Sequence, residues 1–177
     1  MRLVGLTLLA LLVGCQMAEA ADPEDASAEE APDPWVGCWS RLYDQAHLKK
    51  HPGQLVTAVT VAIDPRTAAG DKDAGAYSAR VAANFRGKPE TYTTPYSARC
   101  GTAGTDDRLR CFLDGFFVGQ FSLERAGKNI KLALPDKADS VALVPGVELS
   151  AFMLLSPQNP EHSVFLLMPA AKNVCGQ

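Results

Sequence analysis

FVGQFSLERAGKNIKLAL, residues 117 to 134, decides how the rest of the chain is read. Phe117, Phe121 and Leu123 alternate there with Val118, Gln120 and Ser122, and Ile130, Leu132 and Leu134 alternate with Asn129, Lys131 and Ala133. Successive Cβ atoms leave a pleated strand on opposite sides, so period-two alternation marks a strand with one buried face. Ala126-Gly127-Lys128 separates the two runs and supplies the turn chemistry that joins two such strands.

The same pattern spreads in both directions. Residues 54–63 put Leu55, Val59, Val61 and Ile63 on one face together with Thr57. Residues 76–85 set Tyr77, Val81 and Phe85 against Ser78, Arg80 and Asn84. Shorter candidates lie at 38–43, 91–100, 109–113, 140–144, 149–155 and 163–168. Turn signals fall between them at Asp64-Pro65, 70–75, Arg86-Gly87-Lys88-Pro89, 101–107, Asp114-Gly115, Pro135-Asp136 and 156–161. Pro95, inside a candidate strand, predicts a bulge or an edge, since proline cannot donate to a ladder. Only one helix is expected: Asp44 caps it, residues 45–50 form it, and Pro52-Gly53 stops it. Short strands with frequent turns predict an all-β fold, an antiparallel meander closing into a small barrel, with a two-sheet sandwich as the alternative.

At 177 residues with 47% apolar and 21% charged side chains, the composition excludes a disordered chain, a collagen-like polymer and a polytopic membrane protein. The net charge of −3 gives no reason to expect a nucleic-acid partner.

The N-terminus reads as an address. After Met1-Arg2, residues 3–14 are apolar apart from Thr7. Twelve residues of helix rise only about 18 Å against a hydrocarbon core of roughly 30 Å, so this is the apolar region of an export signal and not a membrane span. Leu12-Val13-Gly14-Cys15 resembles a bacterial lipobox. That resemblance implies that residues 1–14 are removed and that Cys15 becomes the lipidated N-terminus, with enough acyl chains for stable anchoring. Gln16, where the family's inner-membrane retention signal would be an Asp, implies the outer membrane, facing the periplasm. The alternative is an ordinary cleaved signal ending at Ala18-Glu19-Ala20, giving a soluble periplasmic or secreted protein.

Residues 15–34 read as the lipidated Cys followed by an acidic disordered tether. From 16 to 34 there are seven acids and no Lys or Arg, and no aromatic or β-branched residue. Such a segment cannot bury enough surface to offset the entropy of ordering. The domain expected over 35–177 then has 16 basic and 13 acidic residues, or +3 by itself.

With Cys15 set aside, Cys38, Cys100, Cys111 and Cys175 remain, an even number that implies two bridges in an oxidising compartment with three pairings open. Cys100 and Cys111 flank a Gly-containing turn and suit a hairpin staple, which leaves Cys38–Cys175 to join the first strand to the chain end. A Cys₄ zinc site lacks the C-x-x-C spacing it would use.

Gly37-Cys38-Trp39, at the start of the meander, resembles the G-x-W of lipocalin and calycin barrels, also seen in small bacterial barrel inhibitors of proteases. The resemblance implies a lipocalin-like barrel whose first-strand Trp39 closes one end. The family also sets a basic residue late in the last strand against this Trp, and Lys172, after Pro169, is the candidate here. The plainer reading of Trp39 is an ordinary core residue.

His47 and His51 stand four apart on the expected helix, hence on one face. With Asp44 they could approach a divalent metal, but two imidazoles without H-E-x-x-H match a solvated helix face whose Leu48 alone packs inward. Asp71, Asp73 and Gly75 lack the remaining ligands of a calcium loop. Ser163 beside His162 is adjacent in sequence only, and Asp106-Asp107 lies in an expected turn. The expected function is therefore a lipid-anchored cell-envelope binding module without catalysis or cofactor. It would engage a partner protein, for example by inhibiting a hydrolase, or a small apolar ligand, with Trp39, His47 and His51 as contact candidates. A structural or assembly lipoprotein of the outer membrane is the alternative.

Overall fold

A computed structural model describes residues 33–66, 75–103, 105–113, 119–134, 140–145 and 153–176, with backbone alone at 103, 105 and 106. The expected leader, Cys15, most of the expected tether, Asp71, Asp73, Asp114-Gly115, Phe117 and Pro135-Asp136 lie outside the described residues.

Eight antiparallel strands form a closed barrel. They are β1 (Gly37–Leu42), β2 (Val56–Pro65), β3 (Tyr77–Phe85), β5 (Ala98–Ala103), β6 (Thr105–Leu113), β7 (Gly119–Ala126), β8 (Asn129–Ala133) and β11 (Val164–Ala170). First and last strands meet through Cys38↔Ala170, Trp39↔Pro169 and Ser40↔Met168. The ring closes between β3 and β5 through Tyr77↔Cys100, Ser78↔Arg99 and Ala79↔Ala98. This is the barrel of the two expected architectures, and closure leaves its strands no free edge.

Three further strands extend the sheet from β3: β4 (Thr91–Thr93), β9 (Val141–Pro145) and β10 (Met153–Leu155). The first half of β3 pairs with β5 and residues Ala82 to Asn84 pair with β4, so both strands share one edge. Thr94 manages the handover: its amide donates to the Val81 carbonyl at 2.8 Å, and its hydroxyl accepts the Val81 amide at 3.3 Å. The single expected strand over 91–100 is thus two strands split by the corner at Thr94-Pro95, where the missing proline donor costs nothing.

The 126–128 turn closes the β7–β8 hairpin as expected, with Gly127 at φ +64, a conformation side chains with a Cβ rarely adopt. Two other expected turns are strand. β2 runs on through Pro65, which pairs with Tyr77, because β1 has already ended opposite Ile63 and no ladder on that side needs the proline amide. β5 and β6 stay paired to Ala103↔Thr105, so the turn expected over 101–107 is much tighter.

The phase of β2 also differs at its start. Val56 is inside and Leu55 is exposed, the reverse of strict alternation back from Val59, because the register slips between Val56 and Ala58. Such a bulge turns every preceding side chain to the other face.

Inward positions are occupied by large side chains: Phe121, Phe165, Ile63, Leu109, Leu123 and Ile130 are fully buried. Burying a side chain of this size stabilises by about 1.5–3 kcal/mol. Trp35 and Trp39 are also in this core, and the Trp39 indole donates to the Trp35 carbonyl at 3.2 Å. Arg125 of β7 lies over the Trp35 ring and donates to the Pro34 carbonyl, so the cation against this tryptophan pair comes from β7 and not from Lys172. Both expected disulfides are present, Cys38–Cys175 and Cys100–Cys111. The first pins the C-terminal 3₁₀ turn Lys172–Cys175 to the outside of β1. Every residue of the core and both bridges lie between 35 and 175.

Candidate functional site

Polar groups converge where β1 ends and β11 begins. The helix α1 (Gln45–Lys50) is the one expected: Asp44 accepts the His47 amide at 2.7 Å, and only Leu48 is buried. Spacing of four residues stacks the His47 and His51 rings at 4.3 Å. Tyr43 sits 4.8 Å from the His47 ring on the other side, with the Arg41 guanidinium over its face. Burial pushes the Tyr43 phenol up, against the opposing pull of Arg41.

The other half of this corner is a 3₁₀ turn, Pro160–His162. Asn159 caps it by accepting the Glu161 amide at 3.0 Å, and Pro160 at the first position sacrifices no needed donor. His162 is buried, and its Nε2 accepts the Leu55 amide at 3.2 Å, across 107 residues of chain. A nitrogen that accepts holds no proton, so this imidazole is neutral with its proton on Nδ1. Burial pushes its pKa down, while the Glu161 charge pulls the other way.

Further contacts join the halves. Glu161 Oε1 lies 3.8 Å from His51 Nδ1, and Oε2 is buried without a hydrogen-bond partner. His47 Nε2 meets Gln54 Oε1 at 3.0 Å, and the Gln54 amide nitrogen donates to the Val56 carbonyl at 2.9 Å. Arg86 donates to the carbonyls of Leu48 and His51 at 3.0 and 3.3 Å, satisfying acceptors that a helix end leaves open. All three histidines of the chain are therefore in one corner.

Chemistry at this corner is limited by those commitments. The Asp44 carboxylate is spent on the helix cap. Among the described residues, no three His, Cys, Asp or Glu side chains are placed to hold a metal ion. Ser163 donates to the Pro160 carbonyl at 2.9 Å, so its hydroxyl is committed to the turn. Of the three contact candidates, His47 and His51 come together, but Trp39 is buried toward the other end of β1 and offers no surface. Sequence reasoning missed Glu161 and His162 here; the signal was Asn159-Pro160-Glu161, a helix-start pattern read only as a turn. Beside the corner, Gln45, Lys49, Thr57, Phe85 and Arg86 line an open groove.

A second surface lies on the barrel's outside. Alternation along β11 turns Phe165 and Leu167 inward and leaves Val164, Leu166 and Met168 facing solvent at 55, 42 and 45% exposure. Leu42, on neighbouring β1, is 76% exposed. A recess between β6 and β7 holds about 20 Å³, room for one water molecule.

No helix among the described residues is long and apolar enough to cross a membrane. No protein-family model, curated protein or solved structure matches the chain.

Proposed function

We propose that the chain is a lipid-anchored binding module of the bacterial cell envelope, held by Cys15 to the outer membrane and acting without catalysis by engaging a partner protein. The supporting observation is the division of apolar side chains between inside and outside. Inward positions carry bulky residues such as Phe121, Phe165 and Leu123, which leave little room for a carried ligand. Large apolar side chains stand exposed on β11 instead, as a surface used for protein contact would have them. Inhibition of a hydrolase is one form such engagement takes, and assembly of an envelope complex would use the same surface. Two bridges suit an oxidising compartment.

The test is capture from an envelope extract with the chain and with a triple variant, Val164→Ser, Leu166→Ser and Met168→Ser, whose fold is checked by circular dichroism. A protein retained by the parent chain and lost from the variant is expected. Equal retention by both refutes the surface, and an apolar small molecule eluting in place of a protein refutes the reading.

A further inference from the structure

We infer that the corner between α1 and the 3₁₀ turn Pro160–His162 is a proton-operated latch, closed while His162 accepts the Leu55 amide and opened when that ring nitrogen takes a proton. Two observations carry it. The bond joins segments 107 residues apart, the approach to β2 and the approach to β11, so its loss loosens both. It also depends on the protonation state, because Nε2 can accept only while its lone pair is free. Protonation adds one N–H to Nε2 and sets two donors, that N–H and the Leu55 amide, against each other in a buried place.

The surroundings favour the closed state at neutral pH. Burial holds the imidazole neutral, against the charge of adjacent Glu161. That carboxylate also faces His51, its Oε1 lying 3.8 Å from the His51 Nδ1. From α1 the other titratable groups are His47, Lys49 and Lys50, with Asp44 committed to the cap. Arg86 reaches in from the β3–β4 turn and is held by two carbonyls. Arg41 and Tyr43 flank the far side of the histidine stack. β11, which follows the turn directly, has no titratable side chain.

The sign follows from linkage. His162 is neutral when folded and takes a proton more readily when unfolded, so the latch contributes fully above the ordinary value of 6.5. That contribution is lost as pH falls from there through the lowered folded value. Between those two values the open population rises about tenfold per pH unit, and below the lower one it levels off.

The experiment is nuclear magnetic resonance on the full chain in detergent micelles from pH 7.5 to 5. It follows the His162 ring protons and the Leu55 amide exchange rate, corrected for intrinsic exchange. Leu55 protection is expected to fall about tenfold or more in step with the His162 titration, while the Leu132 and Leu167 amides of the barrel keep theirs. His162→Gln keeps an acceptor that does not titrate, and its Leu55 protection is expected to be flat across the range. Unchanged Leu55 protection while His162 titrates, no His162 titration above pH 5, or the same loss in His162→Gln would each overturn the latch.

Discussion

Replacing Cys38 and Cys175 together by Ala is expected to cost far more stability than replacing Cys100 and Cys111. The two bridges differ chiefly in the chain they close, 137 residues apart in sequence against 11. In the chain-entropy model these loops are worth about 5 and about 3 kcal/mol. The fold widens the gap, because β5 and β6 already set Cys100 directly opposite Cys111 across a tight turn. Cys38, in contrast, lies at the β1–β11 junction where first and last strands meet, and Cys175 draws the C-terminal turn onto it. Small domains have about 5–15 kcal/mol in total, so losing the long loop leaves the barrel near its threshold. Guanidinium unfolding followed by the fluorescence of Trp35 and Trp39, both buried, gives the two free energies. Loss of the Cys38–Cys175 bridge should also raise the slope with denaturant, since the freed chain expands when unfolded. An equal cost for both pairs, or a larger one for Cys100–Cys111, would refute the argument that the long closure holds the barrel together.

Phe165→Ala should cost about 3–5 kcal/mol in the same unfolding assay, because a packed interior does not collapse around the lost ring; a cost below about 1 kcal/mol would mean slack inside the barrel. Gly119→Ala should cost about 1–3 kcal/mol, as overpacking does. A Cβ there would lie 2.5 Å from the Ser140 carbonyl and 3.3 Å from Leu113, and amide exchange at Gln120 and Ser140 should report the strained β7–β9 bridge.

Strands were legible wherever one face is buried and the register is unbroken. β3, β7 and β8 alternate cleanly, and the capped helix over 45–50 carried both its start and stop signals. The bulge at the start of β2 was not legible, since a slip of one residue leaves no mark in composition and moved Leu55 from the expected core to the surface. Nor was the split at Thr94, which depends on two strands competing for one edge of β3. Pro95 marked the place but not the geometry. The disulfides could be argued from loop placement, but the candidate site could not be assembled that way. His162 meets Leu55 across 107 residues, and only the closed sheet brings the two together. Arg125 over Trp35 is the same kind of contact, set by β7's place in the ring and not by any local pattern.

These contacts place the protein's specific features at its rim and on its outer wall, with the interior given to packing. Native mass spectrometry of the chain purified from its own envelope tests that account most directly. The account predicts a polypeptide starting at an acylated Cys15, both bridges closed, and no small apolar molecule released on unfolding. Free thiols at Cys38 and Cys175, or an apolar ligand that stays bound until the barrel unfolds, would contradict it.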